Sequence, residues 1–490
     1  MNTVQRIAKN TGILFSAQII ACILGFFYSI YMARYLGPVG FGVLSFAIAL
    51  ILIFGVLGDL GLSTLLTREL SKDKSLEKKF IGNFLPIKII LSILTYSLLV
   101  LFVNLLGYSH QTLNIVYIIG LSMVANGFSQ LFYGLFQSYE KMEYQSITLL
   151  INNMLIFLGV IYGISHGFNV SWFAFIYFIA SLAVLIFSLT IFIWKYDSFN
   201  LEFHFSYWKK SLILALPLSI LLIFSVIASR VDTILLELLK GSTAVGYYSA
   251  SYRILDSLMY IPTLYTGAIF PVLSNFHVSS KESLIILYEK SFKYLFIISL
   301  PIAAAITILA QHIILILYQN SYYQSILCLQ ILIWSIPFLF LMSMFGTMFV
   351  SIKKAYIMVK ITLFSMIFNI TLNLIFIPTY SYIGAAILTV LTGILGCLIS
   401  FYYLSQFIYE IRIKRIVLKP ILSTIIVSLL LLLVHINFFL LIVIATILYL
   451  GLIMVFKTFT KDDYDIFIKL VPNFIKIYLI KMYNFYILIF

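Results

Sequence analysis

The fold class predicted by this sequence is an all-α integral membrane protein of about fourteen transmembrane helices. Three observations predict it. First, 63% of the 490 residues are hydrophobic and only 10% are charged, whereas soluble chains carry about 25% charged residues. Second, the apolar residues gather into runs of nearly the ~20 residues that a helix needs to cross a hydrocarbon core. Third, short polar interruptions separate those runs, and the basic residues concentrate in every other one. A soluble enzyme is excluded. So is an independent nucleic-acid module, although the net charge of +14 first suits one, because in a membrane chain such an excess marks cytoplasmic loops.

In order, the runs cover 11–32, 43–66, 81–106, 113–136, 146–165, 172–194, 211–238, 247–273, 291–318, 326–350, 357–377, 384–406, 421–436 and 438–456. The thirteenth is the shortest, about 16 residues, and a re-entrant segment is the alternative there, since a perpendicular span needs ~20. Arg6 and Lys9 precede Ile19, Ile20, Ala21 and Cys22, which look like a lipoprotein cleavage box. The run continues to Met32, however, beyond the ~7–15-residue core of a cleavable signal, so the first span is expected to stay. Cys22, Cys328 and Cys397 lie in separate runs and point to neither a disulfide framework nor a thiolate metal site.

Of 31 lysines and arginines, 27 fall on one side of this topology, against Arg34 and Lys240 on the other. Both termini are therefore expected in the cytoplasm, and the chain in the plasma or inner membrane. The opposite loops, such as Tyr35 to Gly42 and His166 to Ser171, are too short to form a catalytic domain. That counts against a membrane glycosyltransferase or polymerase. Asp462, Asp463 and Asp465 resemble the acidic motif with which some glycosyltransferases hold a metal, but are read as a solvated cluster after the last span. Beyond them Lys469, Asn473, Lys476 and Asn484 recur near helical spacing, as in a helix lying at the interface among anionic headgroups. A fifteenth span is the alternative.

An ionisable group at membrane depth needs a partner, a wet cavity or a function. Asp59, Arg230, Asp232, Glu237, Arg253 and Asp256 qualify. Folding the seventh and eighth spans about Thr243 sets Asp232 level with Arg253 and Arg230 level with Asp256, both pairs of opposite sign. Either these are structural staples, or at least one arginine faces a cavity and holds an anion with its guanidinium fork. Arg230 and Asp232 project about 200° apart on one helix, so a division of roles is expected. Asp59 stands alone, level with Gln18 and beside Gly58 and Gly61. It is either a hydrogen-bonded structural carboxyl or the coupling site for a proton or sodium.

Uncharged polar residues form two helical stripes: Asn126, Gln130, Tyr133 and Gln137 on the fourth span, and Thr362, Ser365, Asn369 and Asn373 on the eleventh. Such stripes suit sugar contact or polar glue between helices. Asn152 and Asn153 are equally ambiguous. There is no phosphate-binding glycine loop with a lysine and no histidine pair at metal spacing. No catalytic residue, metal or cofactor is expected, nor is ATP as a direct drive.

Val39, Gly40 and Phe41, followed by Ser45 and Ala47, recur as Val245, Gly246 and Tyr247 followed by Ser249 and Ala250. With six spans between them, the repeat is parallel. To these add Ala33, Arg34, Tyr35, Leu36, Gly37, Pro38 and Gly42, then Asp59, Leu60, Gly61, Leu62, Arg68, Glu69 and Leu70. The later set is Asp232, Leu235, Leu236, Tyr248, Tyr252, Arg253, Pro262, Pro271, Asn369, Asn373, Pro378, Gly384, Ala385 and Ala386. In this order and spacing, over most of residues 1–400, the chain resembles the polysaccharide-repeat-unit (Wzx-like) flippases of the MATE/lipid-flippase (MOP) superfamily.

The resemblance implies two parallel-repeat six-helix lobes around a central cavity, 1–200 and 201–410, then two additional helices in 411–460 and a tail in 461–490. It implies transport of an isoprenoid-pyrophosphate-linked oligosaccharide to the outer leaflet by alternating access. The implied partners are that lipid-linked oligosaccharide, membrane lipids, and a polysaccharide polymerase or glycosyltransferases. On this reading the substrate-binding candidates are Arg230, Arg253, Arg34, Asn126, Gln130, Tyr133, Asn369 and Asn373, and the ion-coupling candidate is Asp59. The alternative on the same fold is a cation-coupled multidrug exporter, for which acidic cavity walls are expected.

Overall fold

The computed structural model describes residues 3–196, 202–411, 413–434, 437–459 and 463, and every regular element among them is a helix. The expected tail helix, with Asp465, Lys469, Lys476 and Asn484, lies outside the described residues, as does Asp462. Twelve helical segments are long and apolar enough to cross a membrane. Two of them are double: α1 (Thr3–Leu57) has 55 residues and α13 (Ala355–Phe407) has 53. At 1.5 Å per residue each is about 80 Å long, far beyond a hydrocarbon core of about 30 Å. Each breaks at one non-helical residue, Gly37 in α1 and Ser381 in α13. Among the described residues, the twelve segments, two counted twice, give fourteen passes long and apolar enough to cross.

Between the double helices run α2 (Leu62–Lys72), α3 (Glu77–Leu105), α4 (His110–Ser138), α5 (Met142–Ser165) and α6 (Val170–Lys195). After these come α7 (Phe205–Lys240), α8 (Ser242–Leu258), α9 (Tyr260–Ser279), α10 (Lys281–Tyr318), α11 (Ser325–Leu332) and α12 (Ile336–Ser351). Helices α14 (Ile413–Leu433) and α15 (Phe438–Val455) close the order. The expected second span, 43–66, is cut short at Leu57. Leu60 (φ 45°) and Gly61 (φ 80°) take left-handed backbone, and the chain restarts as the amphipathic α2, which buries Leu62, Leu65, Leu66 and Leu70. The thirteenth span begins at Ile413 rather than 421, because its first turns are basic helix outside the apolar run. Asp463 is not solvated as expected: it is 1% exposed, with Lys293 Nζ at 2.6 Å and Lys290 Nζ at 3.5 Å.

Helix α1 packs on α4, α5, α7 and α8, and α4 on α6; α13 packs on α7 and α12. Helices α1–α6 and α7–α13 are called the first and second lobes below, and α14 with α15 lies against α10. There Val427, Leu431, Leu441 and Tyr449 cover Ile297 and Leu309.

The lobes touch at one end of the bundle, the turn end, through two glycines. Gly37 (φ 66°, ψ 179°) and Gly241 (φ 81°, ψ 175°) share a backbone conformation that disfavours any side chain. A Cβ on Gly42 would stand 1.8 Å from Ser242 O, and one on Gly246 would stand 2.0 Å from Pro38 O. The contact is reciprocal, since Pro38 follows Gly37 as Ser242 follows Gly241. The repeat therefore aligns Gly37 with Gly241 and Gly42 with Gly246. That register is shifted from the one read in sequence, where a short apolar-glycine-aromatic match slides without penalty. The opposite end carries α2 and most of the lysines, and is called the basic end below.

Candidate functional site

Arg230, Arg253 and Asp256 project from α7 and α8 toward α1 and α5. They line a cavity of about 310 Å³ with Cys22, Gly25, Tyr28, Asn153 and Tyr260. A smaller pocket of about 90 Å³ adds Ser29, Ser45, Tyr177 and Tyr252 toward the turn end. Arg230 Nη2 lies 3.2 Å from Asp256 Oδ2, and its guanidinium carbon lies 5.4 Å from the Tyr252 ring centroid. This is the cross-pair that helix register predicts. Arg253 has a different environment. It donates to Gly25 O at 2.6 Å and lies over the Tyr28 ring, while its buried Nε has no acceptor. Among the described residues no carboxylate lies within ion-pair distance of it.

The expected Asp232–Arg253 pair is not formed. Equal height on neighbouring helices was insufficient, because Asp232 faces α13 while Arg253 faces α1. Asp232, 3% exposed, accepts from Asn373 Nδ2 at 2.8 Å, Thr389 Oγ1 at 2.9 Å and Tyr248 Oη at 3.0 Å. Asn373 also donates to Asn369 Oδ1 at 3.0 Å, and Asn369 Nδ2 donates to Thr392. Both asparagines, expected on a sugar-binding wall, thus sit in the hydrogen-bond network of a buried carboxylate. Asn373 Oδ1 is buried without a donor. The cluster presents carboxylate, amide and hydroxyl oxygens and, among the described residues, no basic side chain. Such a set suits a proton or a hard cation.

A family model described as polysaccharide biosynthesis protein matches residues 7–277, and a MatE model matches residues 217–375. The chain belongs to the polysaccharide biosynthesis protein family. Capsular polysaccharide biosynthesis protein CapF of Staphylococcus aureus is 24% identical to it over 415 residues, 82% of this chain and 100% of CapF. Among solved structures, the lipid II flippase MurJ in an inward closed conformation has a TM-score of 0.75 at 20% identity, covering 91% of this chain and 98% of that one. An inward-facing multidrug resistance MATE family transporter of the MOP superfamily has a TM-score of 0.66 at 16% identity, covering 79% and 94%. The superfamily read from the sequence motifs is borne out, and the chain is a multi-pass membrane protein of the flippase type.

In this polysaccharide-family flippase, Arg34 is not in the cavity wall. Its Nε donates to Leu317 O at 2.6 Å and its Nη2 to Ile316 O, both in the last turn of α10, where carbonyls lack helical partners. Tyr322 Oη donates back to Ala33 O at 2.9 Å. Arg34 therefore clasps the lobes at the turn end. Asn126 donates to Ser181 across α4 and α6 at 3.0 Å. Gln130 is exposed, and Tyr133 is buried in the first lobe's core. None of these three lines either inter-lobe cavity, whereas Asn153 lines the larger one.

Asp59 does not stand alone. It occupies the break between α1 and α2, where Lys88 Nζ from α3 lies 2.5 Å from its Oδ1 and Ser63 Oγ donates at 2.7 Å. The Lys88 side chain is 0% exposed. Lys88 lies inside the apolar run 81–106, and that position is the sequence signal that it points inward. Tyr28 and Tyr252, which stack on the two arginines, carried no signal among 34 tyrosines.

Proposed function

We propose that this flippase carries an isoprenoid-pyrophosphate-linked oligosaccharide from the cytoplasmic to the outer leaflet of the cell membrane, with its basic end and both termini in the cytoplasm. The observation that carries the reading is Arg253, a half-buried cation without a carboxylate partner among the described residues, in the wall of a cavity between the lobes. A charge at membrane depth costs at least ~2.5 kcal/mol, and pyrophosphate oxygens match the planar donors that Arg253 leaves unused. The Tyr28 and Tyr252 faces and Asn153 supply the neutral surface that a sugar needs. Alternating access consists of undoing the Gly42–Gly246 contact and the Arg34 clasp while the basic end closes, with 1–200 and 201–410 moving as units. Asp232 takes over from Asp59 as the coupling residue, because Asp59 already owns a fixed counter-ion. Glycosyltransferases on the cytoplasmic side supply the cargo, and a polymerase outside consumes it.

The rival reading, export of cationic drugs, calls for free acidic groups, yet the cavity's carboxylate, Asp256, is held by Arg230. The test is binding of a polyprenyl pyrophosphate to the reconstituted chain. Losing charge-assisted hydrogen bonds of ~1.5–3 kcal/mol, Arg253→Gln should bind about 10- to 100-fold more weakly. The corresponding polyprenol should bind parent and variant alike, and cationic-dye accumulation should be unchanged. Equal affinity of variant and parent for the pyrophosphate, at matched abundance, would overturn the reading.

A further inference from the structure

A separate cavity of about 600 Å³ lies wholly within the first lobe, at the basic end. Lys74, Lys78, Lys141 and Lys195 line it, and among the described lining residues Glu77 is the one carboxylate. Topological bias puts lysines at this end, but it does not make them converge on one cavity from three places. They come from the start of α3 and the turn before it, the α4–α5 turn and the end of α6.

Two of the four are positioned by neutral groups. Lys74 Nζ donates to Ser138 O and stands 4.3 Å from the Tyr139 ring centroid. Lys195 Nζ donates to Tyr144 Oη and stands 4.9 Å from that ring's centroid. Carbonyls and aromatic faces hold an ammonium in place without cancelling its charge. Lys141 Nζ lies 3.7 Å from Glu143 Oε1, and Glu77, which accepts from Tyr139 Oη, keeps its charge, so the lysines hold the excess over carboxylates among the described lining residues. Immediately before Lys195, Ile193 and Trp194 are 69% and 75% exposed, an apolar and indole surface of the kind found at the headgroup boundary. The cavity therefore combines lysines fixed around one space with a lipid-facing edge.

We infer that this pocket binds the phosphate headgroup of an anionic membrane lipid, its chains running along Ile193 and Trp194. Basic pockets between helices at a membrane surface recognise such headgroups, each lysine contributing about a kcal/mol. The site is independent of the inter-lobe cavity and of what that cavity carries.

The test titrates the purified full chain in neutral detergent with phosphatidylglycerol, phosphatidylcholine or glycerol phosphate, and reads the thermal midpoint. Phosphatidylglycerol should raise the midpoint and the other two should not. Lys141→Gln with Lys195→Gln should weaken that response about 30-fold, whereas Lys281→Gln with Lys360→Gln, an equal charge loss at the same end, should leave it unchanged. An unaltered response in the pocket variant, or equal losses in both variants, overturns the site. A matching rise with glycerol phosphate overturns the lipid assignment in favour of a free phosphate. Should the pocket variant not fold, native mass spectrometry of the parent chain decides. Preferential retention of phosphatidylglycerol over phosphatidylcholine supports the inference, and equal retention overturns it.

Discussion

Asp59 in the first lobe and Asp232 in the second are carboxylates among membrane helices, and they are satisfied in opposite ways. Asp59 sits at a helix break with the ammonium of Lys88 2.5 Å away. Asp232 sits on an unbroken helix and receives hydrogen bonds from an asparagine, a threonine and a tyrosine. The first arrangement is electrically closed, so it has little to exchange with the solvent. The second leaves the carboxylate without a counter-ion in its cluster unless a proton or small cation is taken up, and charge without a partner is what a low-dielectric interior disfavours most. Sequence position gave both residues the same standing. Their partners divide them into an ion pair and a hydrogen-bonded carboxylate that we propose as the exchange site.

The largest effect should come from breaking the closed pair. Lys88→Met leaves the half-buried Asp59, 23% exposed, with no counter-ion, at a cost below the ~3–5 kcal/mol of a fully buried pair, to be read as lost abundance and a lowered thermal midpoint. Adding Asp59→Asn should recover most of the loss, and flipping should recover with it. A double variant that is stable but no longer responds to an ion gradient would restore Asp59 as the coupling residue and erase the contrast.

At Asp232 the effect should fall on transport rather than on abundance. Asparagine keeps the shape and can still accept from Tyr248 and Thr389, so Asp232→Asn should accumulate like the parent. Coupling free energies between sites run to about 1–3 kcal/mol, so removing the charge should cost about 5- to 150-fold of the gradient-driven rate and flatten its dependence on pH and sodium. Proteoliposomes under imposed proton and sodium gradients measure this. A variant that responds to both gradients as the parent does would show Asp232 to be packing only.

The same two aspartates show what could be read in advance. Hydropathy measures the length of apolar runs, and it found the fourteen crossings. Charge sign and distance from a turn found the Arg230–Asp256 pair. Neither measures how a helix is rotated about its axis against its neighbours. That rotation turns Asp232 toward α13 and Arg253 toward α1, and brings Lys88 under Asp59. The break at Leu60 and Gly61 was equally hidden, because hydropathy continues through it into the buried leucines of α2.

The smallest expected effect tests whether the exchange site senses the gate. Gly246 opens α8 against Pro38 O, and Tyr248 on the same turn holds Asp232, so moving the start of α8 also moves a donor of the carboxylate. Nothing comparable links the turn end to Asp59 and Lys88, which lie toward the basic end of the first lobe. Gly246→Ala forces a Cβ into that contact, an overpacking cost of about 1–3 kcal/mol that backbone relaxation relieves by parting the lobes. In a cysteine-free background, Ser45→Cys, in the smaller cavity wall, should then react faster with an impermeant thiol reagent applied from the turn end. The cation concentration giving half-maximal transport should shift several-fold in the same variant, and the shift should vanish when Asp232→Asn is added. Faster labelling with no shift would separate the gate from the carboxylate and leave Asp232 without a route to the motion it is proposed to drive.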